Sequence, residues 1–299
     1  MTTAKQWFDG ARPRTLPAAV APVLVGTSVG AFELPGAISG TRALLALIVA
    51  LALQVGVNYS NDYSDGVRGT DSARVGPVRL VGQSLATPAA VKRAAMMCFG
   101  IAALAGLALV VVTGAWWLLL VGAAAIASAW LYTGGPKPYG YAGLGEVFVF
   151  VFFGVVATMG SAFVQTGNLT VLAAVASFGV GALSCAILVA NNLRDIPGDT
   201  VAGKNTLAVR IGDPSTRRLY VTLVVFAFAM VIVVAVRSTP WALITLATLG
   251  LAIAPMRVIR SGAVGRDLIA ALAGTGRLLL GYGVLLSLGL WVAAVFAGA

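Results

Sequence analysis

The chain has 299 residues, of which 59% are hydrophobic and only 10% charged, with a mean hydropathy of +0.95. That composition excludes an ordinary soluble domain and indicates a polytopic membrane protein. The net charge is +10 and there is no histidine, which excludes haem ligation by His, a His zinc site and His general-base catalysis.

Apolar stretches long enough to cross about 30 Å of hydrocarbon at about 1.5 Å per residue fall at nine places: 15–33, 42–61, 93–113, 115–133, 144–165, 169–193, 219–236, 240–256 and 277–297. The first contains Pro17 and Pro22 and lacks a compact apolar core followed by a small-residue cleavage site, so a kinked, retained helix is expected rather than a signal peptide. The fold class is therefore all-α, a bundle of nine transmembrane helices. Cys98 and Cys185 lie within apolar segments without metal-like spacing and read as small buried hydrophobes. No G-x-x-x-x-G-K-[ST] phosphate loop occurs.

Charge orients this bundle. Of the 20 Lys and Arg, only Arg42 and Arg237 fall outside the N-terminal segment and the loops that follow the second, fourth, sixth and eighth spans. By the positive-inside rule the N-terminus and those loops are expected in the cytoplasm and the C-terminus outside, in a cell membrane. The positive charge is then a topology signal. No nucleic-acid partner is expected, because the basic residues share their loops with aspartates.

The acidic residues are just as one-sided. Five aspartates crowd into two segments directly after apolar helices, "NYSNDYSDGVRGTD" (58–71) and "NNLRDIPGDTVAGKNT" (191–206). Both carry Asn-x-x-x-Asp, as Asn58 to Asp62 and Asn191 to Asp195. Both then carry Asp-x-Val-x-Gly, beginning at Asp65 and at Asp199. This weak internal repeat suggests one domain over 1–299 with two related halves, whose motif loops span about 58–92 and 191–218. Each half offers carboxylates at the end of its second helix, facing the other across a central cavity.

Spacing of i,i+3 (Asp62, Asp65) and i,i+4 (Asp195, Asp199) puts each carboxylate pair on one helix face, with Asn58 and Asn191 one turn earlier. Four carboxylates converging at a low-dielectric boundary would repel unless cations intervened, and hard oxygen ligands suit Mg²⁺. Acidic clusters holding Mg²⁺ clamp a diphosphate, and Arg68, Arg74, Arg79, Arg194, Lys204 and Arg210 are at hand for its outer oxygens. The surrounding bilayer makes a lipid diphosphate the natural substrate. Phe148, Phe150, Phe152 and Phe153, beside Tyr139 and Tyr141, offer aromatic faces to a carbocation.

The two aspartate-rich stretches resemble the first and second motifs of the UbiA superfamily of intramembrane prenyltransferases. With "ARPRTLPAAVAPVLVGT" (11–27), "RVGPVRL" (74–80) and "YTGGPKPYGYAGLGEVFVFVFFG" (132–154), they resemble more narrowly its 1,4-dihydroxy-2-naphthoate polyprenyltransferases of menaquinone biosynthesis. The resemblance covers about residues 5–212. Asp71 lies six residues after Asp65, a looser spacing than in other branches of the superfamily.

The resemblance implies nine helices around a central cavity open to lipid, capped by cytoplasmic loops. It implies Mg²⁺-dependent C-prenylation: polyprenyl diphosphate and dihydroxynaphthoate give demethylmenaquinone, diphosphate and carbon dioxide. On this reading Asp62, Asp65, Asp195 and Asp199 are catalytic and, with Asn58, Asp71 and Asn191, hold metal. Arg68, Lys137, Arg194 and Lys204 hold diphosphate, while Arg14, Tyr132, Tyr139 and Glu146 line the acceptor pocket; Arg12 is a further candidate for the acceptor's carboxylate. No protein partner is expected. The rival readings are a superfamily enzyme for another aromatic acceptor and a membrane transporter, although transport sites usually lie near the midplane rather than at helix ends.

Overall fold

The computed structural model describes residues 2–69 and 78–297, and among these there is no strand. The helices are α1 (Ala4–Gly10), α2 (Pro17–Glu33), α3 (Gly40–Val67), α4 (Pro88–Thr113), α5 (Leu118–Leu131), α6 (Gly145–Thr166), α7 (Val171–Val201), α8 (Leu207–Arg237), α9 (Pro240–Arg260) and α10 (Leu268–Ala297). Their starts follow local chemistry. The side-chain oxygens of Thr3, Ser39, Thr87, Thr170 and Thr206 each accept a bond from a backbone N–H of the first turn.

All nine expected spans land on helices, but they differ in reach. Seven helices are long and apolar enough to cross a membrane, and α2 adds an eighth if it is joined to the N-terminal segment from which it is bent by 51°. The span expected at 115–133 is shorter than foreseen: α5 has 14 residues, about 21 Å. Trp116 and Trp117 form a turn at its start, and Gly134 closes another at its end. The motif segments differ too, being helical where loops were expected: α3 runs on through Asp65 to Val67, and α7 through Asp199 to Val201. The protein is a multi-pass membrane protein.

The most deeply buried span is α7, which packs on α2, α6, α8 and α10. Small residues allow the helices to approach closely, as expected where lipid offers no hydrophobic drive between them. Gly26 and Gly30, four apart on α2, abut Thr158, Ser161 and Gln165 of α6; a Cβ on Gly26 would stand 2.7 Å from the Ser161 Cβ. Within α8, Gly212 takes φ +75°, which separates a short capping turn from the membrane-crossing length that begins near Pro214. Contacts of Asp65 with Lys204 and Tyr141, of Arg68 with the Thr133 and Gly135 carbonyls, and of Asn205 N–H with the Tyr141 carbonyl bring both aspartate motifs and the 132–144 segment together.

Candidate active site

A cavity of about 1160 Å³ opens beneath the motif end, larger than the usual small-molecule pocket. Its body is apolar, with walls from α2 to α7, and its polar groups gather near the motifs: Asn58, Asn61, Asp65, Arg79, Asn191, Asn192, Arg194, Asp199 and Lys204.

The two motifs meet through Lys204. Its ammonium lies 3.1 Å from Asp65 Oδ1 and 4.0 Å from Asp199 Oδ1, and 4.7 Å from the centroid of the Tyr141 ring. Tyr141 Oη donates to the same Asp65 oxygen at 2.5 Å. Burial, followed by the Asp65 charge and that hydrogen bond, pushes the Tyr141 phenol well above its ordinary value, so it stays a donor. The Tyr141 ring also meets Arg68, whose guanidinium lies 5.4 Å from its centroid.

The other two motif aspartates are turned elsewhere, and the expected convergence of four carboxylates does not occur. Asp62, fully buried, accepts the backbone N–H of Leu80 at 2.6 Å and of Val81 at 3.2 Å. Asp195 forms a two-pronged pair with Arg194, at 2.8 Å from Nε and 2.9 Å from Nη2. Neither is among the cavity-lining residues. Among the described residues no three acidic or thiol groups come together as a metal cage. The reason is geometric: side chains three or four apart share a helix face, yet each carboxylate goes to the nearest strong donor, and Asp62 and Asp195 have one beside them.

The remaining predicted residues separate clearly. Asn58 lines the cavity, and its Nδ2 donates to Ala11 O and Thr15 Oγ1 at 2.9 and 3.1 Å. Asn191 braces the Arg194–Asp195 pair, accepting from Arg194 at 2.8 Å and donating to Asp195 at 3.3 Å. Arg68 closes the end of α3 by donating to the carbonyls of Thr133 and Gly135, and Lys137 is exposed; neither lines the cavity. Asp71 and Arg74 lie outside the described residues.

Arg14, Tyr132 and Tyr139 all line the cavity. Tyr139 is held by its hydroxyl on Ser128 O at 2.8 Å and stacks on Phe148 at 3.9 Å; burial raises its phenol pKa. Tyr132 meets Tyr139 edge-on at 5.5 Å, and Phe148 continues to Phe152 at 6.1 Å, forming an aromatic row. Phe153 joins this wall, while Phe150 packs outward against Phe178 at 5.8 Å. Glu146 is buried behind the wall, with its Oε1 accepting from Asn192 Nδ2 at 3.0 Å.

Sequence reasoning missed Asn61, Thr133 and Asn192 altogether, and had Tyr141 only as an aromatic face. Thr133 donates to Asn61 at 2.8 Å, tying the 132–144 segment to α3. Asn192 follows Asn191 directly, and one residue is about 100° of helix, so the pair points two ways. Arg12 lines the cavity from a left-handed backbone conformation, φ +55°, rare for a side-chain-bearing residue.

An oxygen-rich pair of opposed carboxylates drawn onto one ammonium suits a hard divalent cation, which needs one or two carboxylates plus phosphate oxygens. The donor set of Asp65 and Asp199 fits Mg²⁺, with the Lys204 ammonium marking where positive charge is favoured.

Residues 19–271 match the UbiA prenyltransferase family. A 1,4-dihydroxy-2-naphthoate octaprenyltransferase of Mycobacterium tuberculosis is 53% identical over 94% of this chain and 94% of its own length. The protein of the same name from Mycobacterium leprae is 51% identical over 92% of each. The structure of a UbiA homolog from Archaeoglobus fulgidus bound to DMAPP and Mg²⁺ aligns with a TM-score of 0.62 over 94% of this chain and 99% of that one, at 16% identity, a likeness of fold. Helical architecture, paired motifs and matched length together place this chain in the UbiA prenyltransferase family.

Proposed function

We propose that the protein transfers a polyprenyl group from polyprenyl diphosphate to 1,4-dihydroxy-2-naphthoate. Diphosphate and carbon dioxide leave, and the product is demethylmenaquinone in its hydroquinone form. The observation that carries this reading is the bridge from Asp65 through Lys204 to Asp199, directly above a large apolar cavity. Relatives of the same length with 53% and 51% identity carry that activity in their names. The whole chain acts as one domain, with each half contributing one motif.

In this reading Asp65 and Asp199, with Asn58 from the same cavity lining, would hold Mg²⁺, which when bound neutralises charge on the diphosphate leaving group. The support is the all-oxygen donor set, together with the Mg²⁺ named for the Archaeoglobus protein. Lys204 and Arg194 hold the outer diphosphate oxygens, and buried Arg79 adds a third cation. Asp62 and Asp195 fix the frame: one holds the backbone of 80–81 beside Arg79, the other sets the Arg194 fork. The aromatic row from Tyr132 to Phe152 faces the allylic cation and excludes water from it. Loss of carbon dioxide from the attacked carbon returns its electron pair to the ring, so this carbon needs no separate base. The motif end lies in the cytoplasm of a cell membrane and the C-terminus outside, as the basic loops indicate.

The test is product analysis by mass spectrometry on detergent-solubilised protein given geranylgeranyl diphosphate and Mg²⁺. In separate tubes it receives dihydroxynaphthoate, 4-hydroxybenzoate or homogentisate, each with and without EDTA. A prenylated naphthoquinone from the first acceptor only, lost with EDTA, is expected. Product from another acceptor instead overturns the choice of acceptor, and no product from folded protein overturns the enzymatic reading.

A further inference from the structure

Two buried polar groups are given no part in holding metal or diphosphate. Asn192 is 6% exposed and lines the cavity, while Glu146, 8% exposed, stands behind it. They come from different helices, α7 and α6, and their one bond runs from Asn192 Nδ2 to Glu146 Oε1 at 3.0 Å. Glu146 Oε2 is buried and has no hydrogen-bond partner among the described residues.

The bond decides which way the Asn192 amide faces. A carboxyl oxygen accepts from a side-chain amide in either protonation state, so Nδ2 is drawn to Glu146, and with Asn192 lining the cavity its Oδ1 is the atom left to accept from a ligand there. A hydrogen-bond acceptor at this place in the wall selects a ligand that carries a donor there. Next to it, Gly145 lets the Tyr132 ring lie close, a Cβ being only 3.2 Å from Tyr132 Cε2, and Phe148, three residues further on, stacks on Tyr139. Flat aromatic faces beside a hydrogen-bond acceptor fit a planar hydroxylated ring.

We propose that Asn192 Oδ1 receives a ring hydroxyl of the aromatic acceptor, and that Glu146 is the positioning residue that fixes the Asn192 amide for this purpose. The inference rests on the acceptor reading above and deepens it. In a hydroxylated 2-naphthoate the hydroxyl next to the carboxylate is held by its own carboxylate, so the hydroxyl on the far side of the ring is the free donor. Selection therefore acts on that remote hydroxyl and not on the prenyl diphosphate.

The experiment uses the full chain in detergent. First, 4-hydroxy-2-naphthoate and its methyl ether are compared as competitive inhibitors against dihydroxynaphthoate. The unaltered protein is expected to bind the hydroxyl compound about 10-fold more tightly, the scale of one buried hydrogen bond. Equal inhibition by the two overturns the proposal without any variant. Second, Glu146→Leu and Asn192→Leu are each expected to remove that discrimination and raise KM for the acceptor about 10-fold, with KM for the prenyl diphosphate unchanged. Glu146→Gln, which keeps an accepting oxygen, is expected to retain both. Discrimination that survives Asn192→Leu, or a Glu146→Gln variant no better than Glu146→Leu, overturns it. Absence of any prenylated naphthoquinone from the unaltered protein instead overturns the acceptor reading on which it rests.

Discussion

Lys204 Nζ stands 3.1 Å from Asp65 Oδ1, joining residues 139 positions apart and fastening the second motif to the first. The contact is buried, with Asp199 on its other side at 4.0 Å, so its electrostatics are little screened by solvent.

Removing the cation while keeping the side chain's bulk isolates that charge. Lys204→Met is expected to lower kcat about 100-fold, the scale of losing one preorganised charge at a site where negative charge develops. Rates at saturating prenyl diphosphate measure it, and a change below about threefold would show that Lys204 does not reach the leaving group.

The two kinds of motif aspartate should fail differently. Asp62→Ala strands the buried Leu80 amide and the part-buried Val81 amide and is expected to cost about 3 kcal/mol of stability. Asp65→Asn keeps a polar group under Lys204 and Tyr141 and is expected to abolish turnover with a much smaller loss. Thermal melts of both variants, beside their activities, check the contrast; equal melting points would refute the framing role of Asp62.

Tyr141 gives a pH signature with a defined sign. Its phenol is held above the ordinary value of about 10, chiefly by burial and then by Asp65, so the folded state keeps a proton that the unfolded chain gives up. Stability from this group is complete below about pH 10 and falls as pH rises from there toward the folded value. Melts recorded from pH 8 upward should therefore decline less steeply for Tyr141→Phe than for the unaltered protein. Parallel alkaline slopes would remove Tyr141 as the cause.

The α2–α6 contact is sensitive to a single methyl. At Gly26 an added Cβ would run into the Thr158 carbonyl oxygen and meet the Ser161 Cβ at 2.7 Å, so Gly26→Val is expected to destabilise by about 2 kcal/mol or more. Gly36 has open space where its Cβ would stand, but its φ of +79° makes it a poor control; Gly160 on α6, open and helical, is the better one. Melting of Gly26→Val no lower than that of Gly160→Val would show that the two helices can part freely.

Much of the fold was legible because its signals are local. Runs such as "RALLALIVALALQVGV" are apolar over a bilayer's thickness whatever surrounds them, and a Thr before a helix caps it by reaching its own next turn. The 14-residue α5 was overestimated because hydropathy does not register where a helix gives way to a turn at Trp116 and Trp117. In the site, the pattern of residue types identified the motifs. It could not tell Asn192 from its neighbour Asn191, since facing depends on how α7 is rotated against α6.

The sequence by itself determined a polytopic all-helical membrane protein, the one-sidedness of its charge and the identity of its two acidic motifs. Each follows from composition or from spacing along one helix. Only the tertiary structure decided how the four carboxylates divide. Asp62 goes to the amides of Leu80 and Val81 and Asp195 to Arg194, while Asp65 and Asp199 are left facing one ammonium. A buried carboxylate is satisfied by whichever donors packing brings within about 3 Å, and those donors come from parts of the chain that spacing cannot relate.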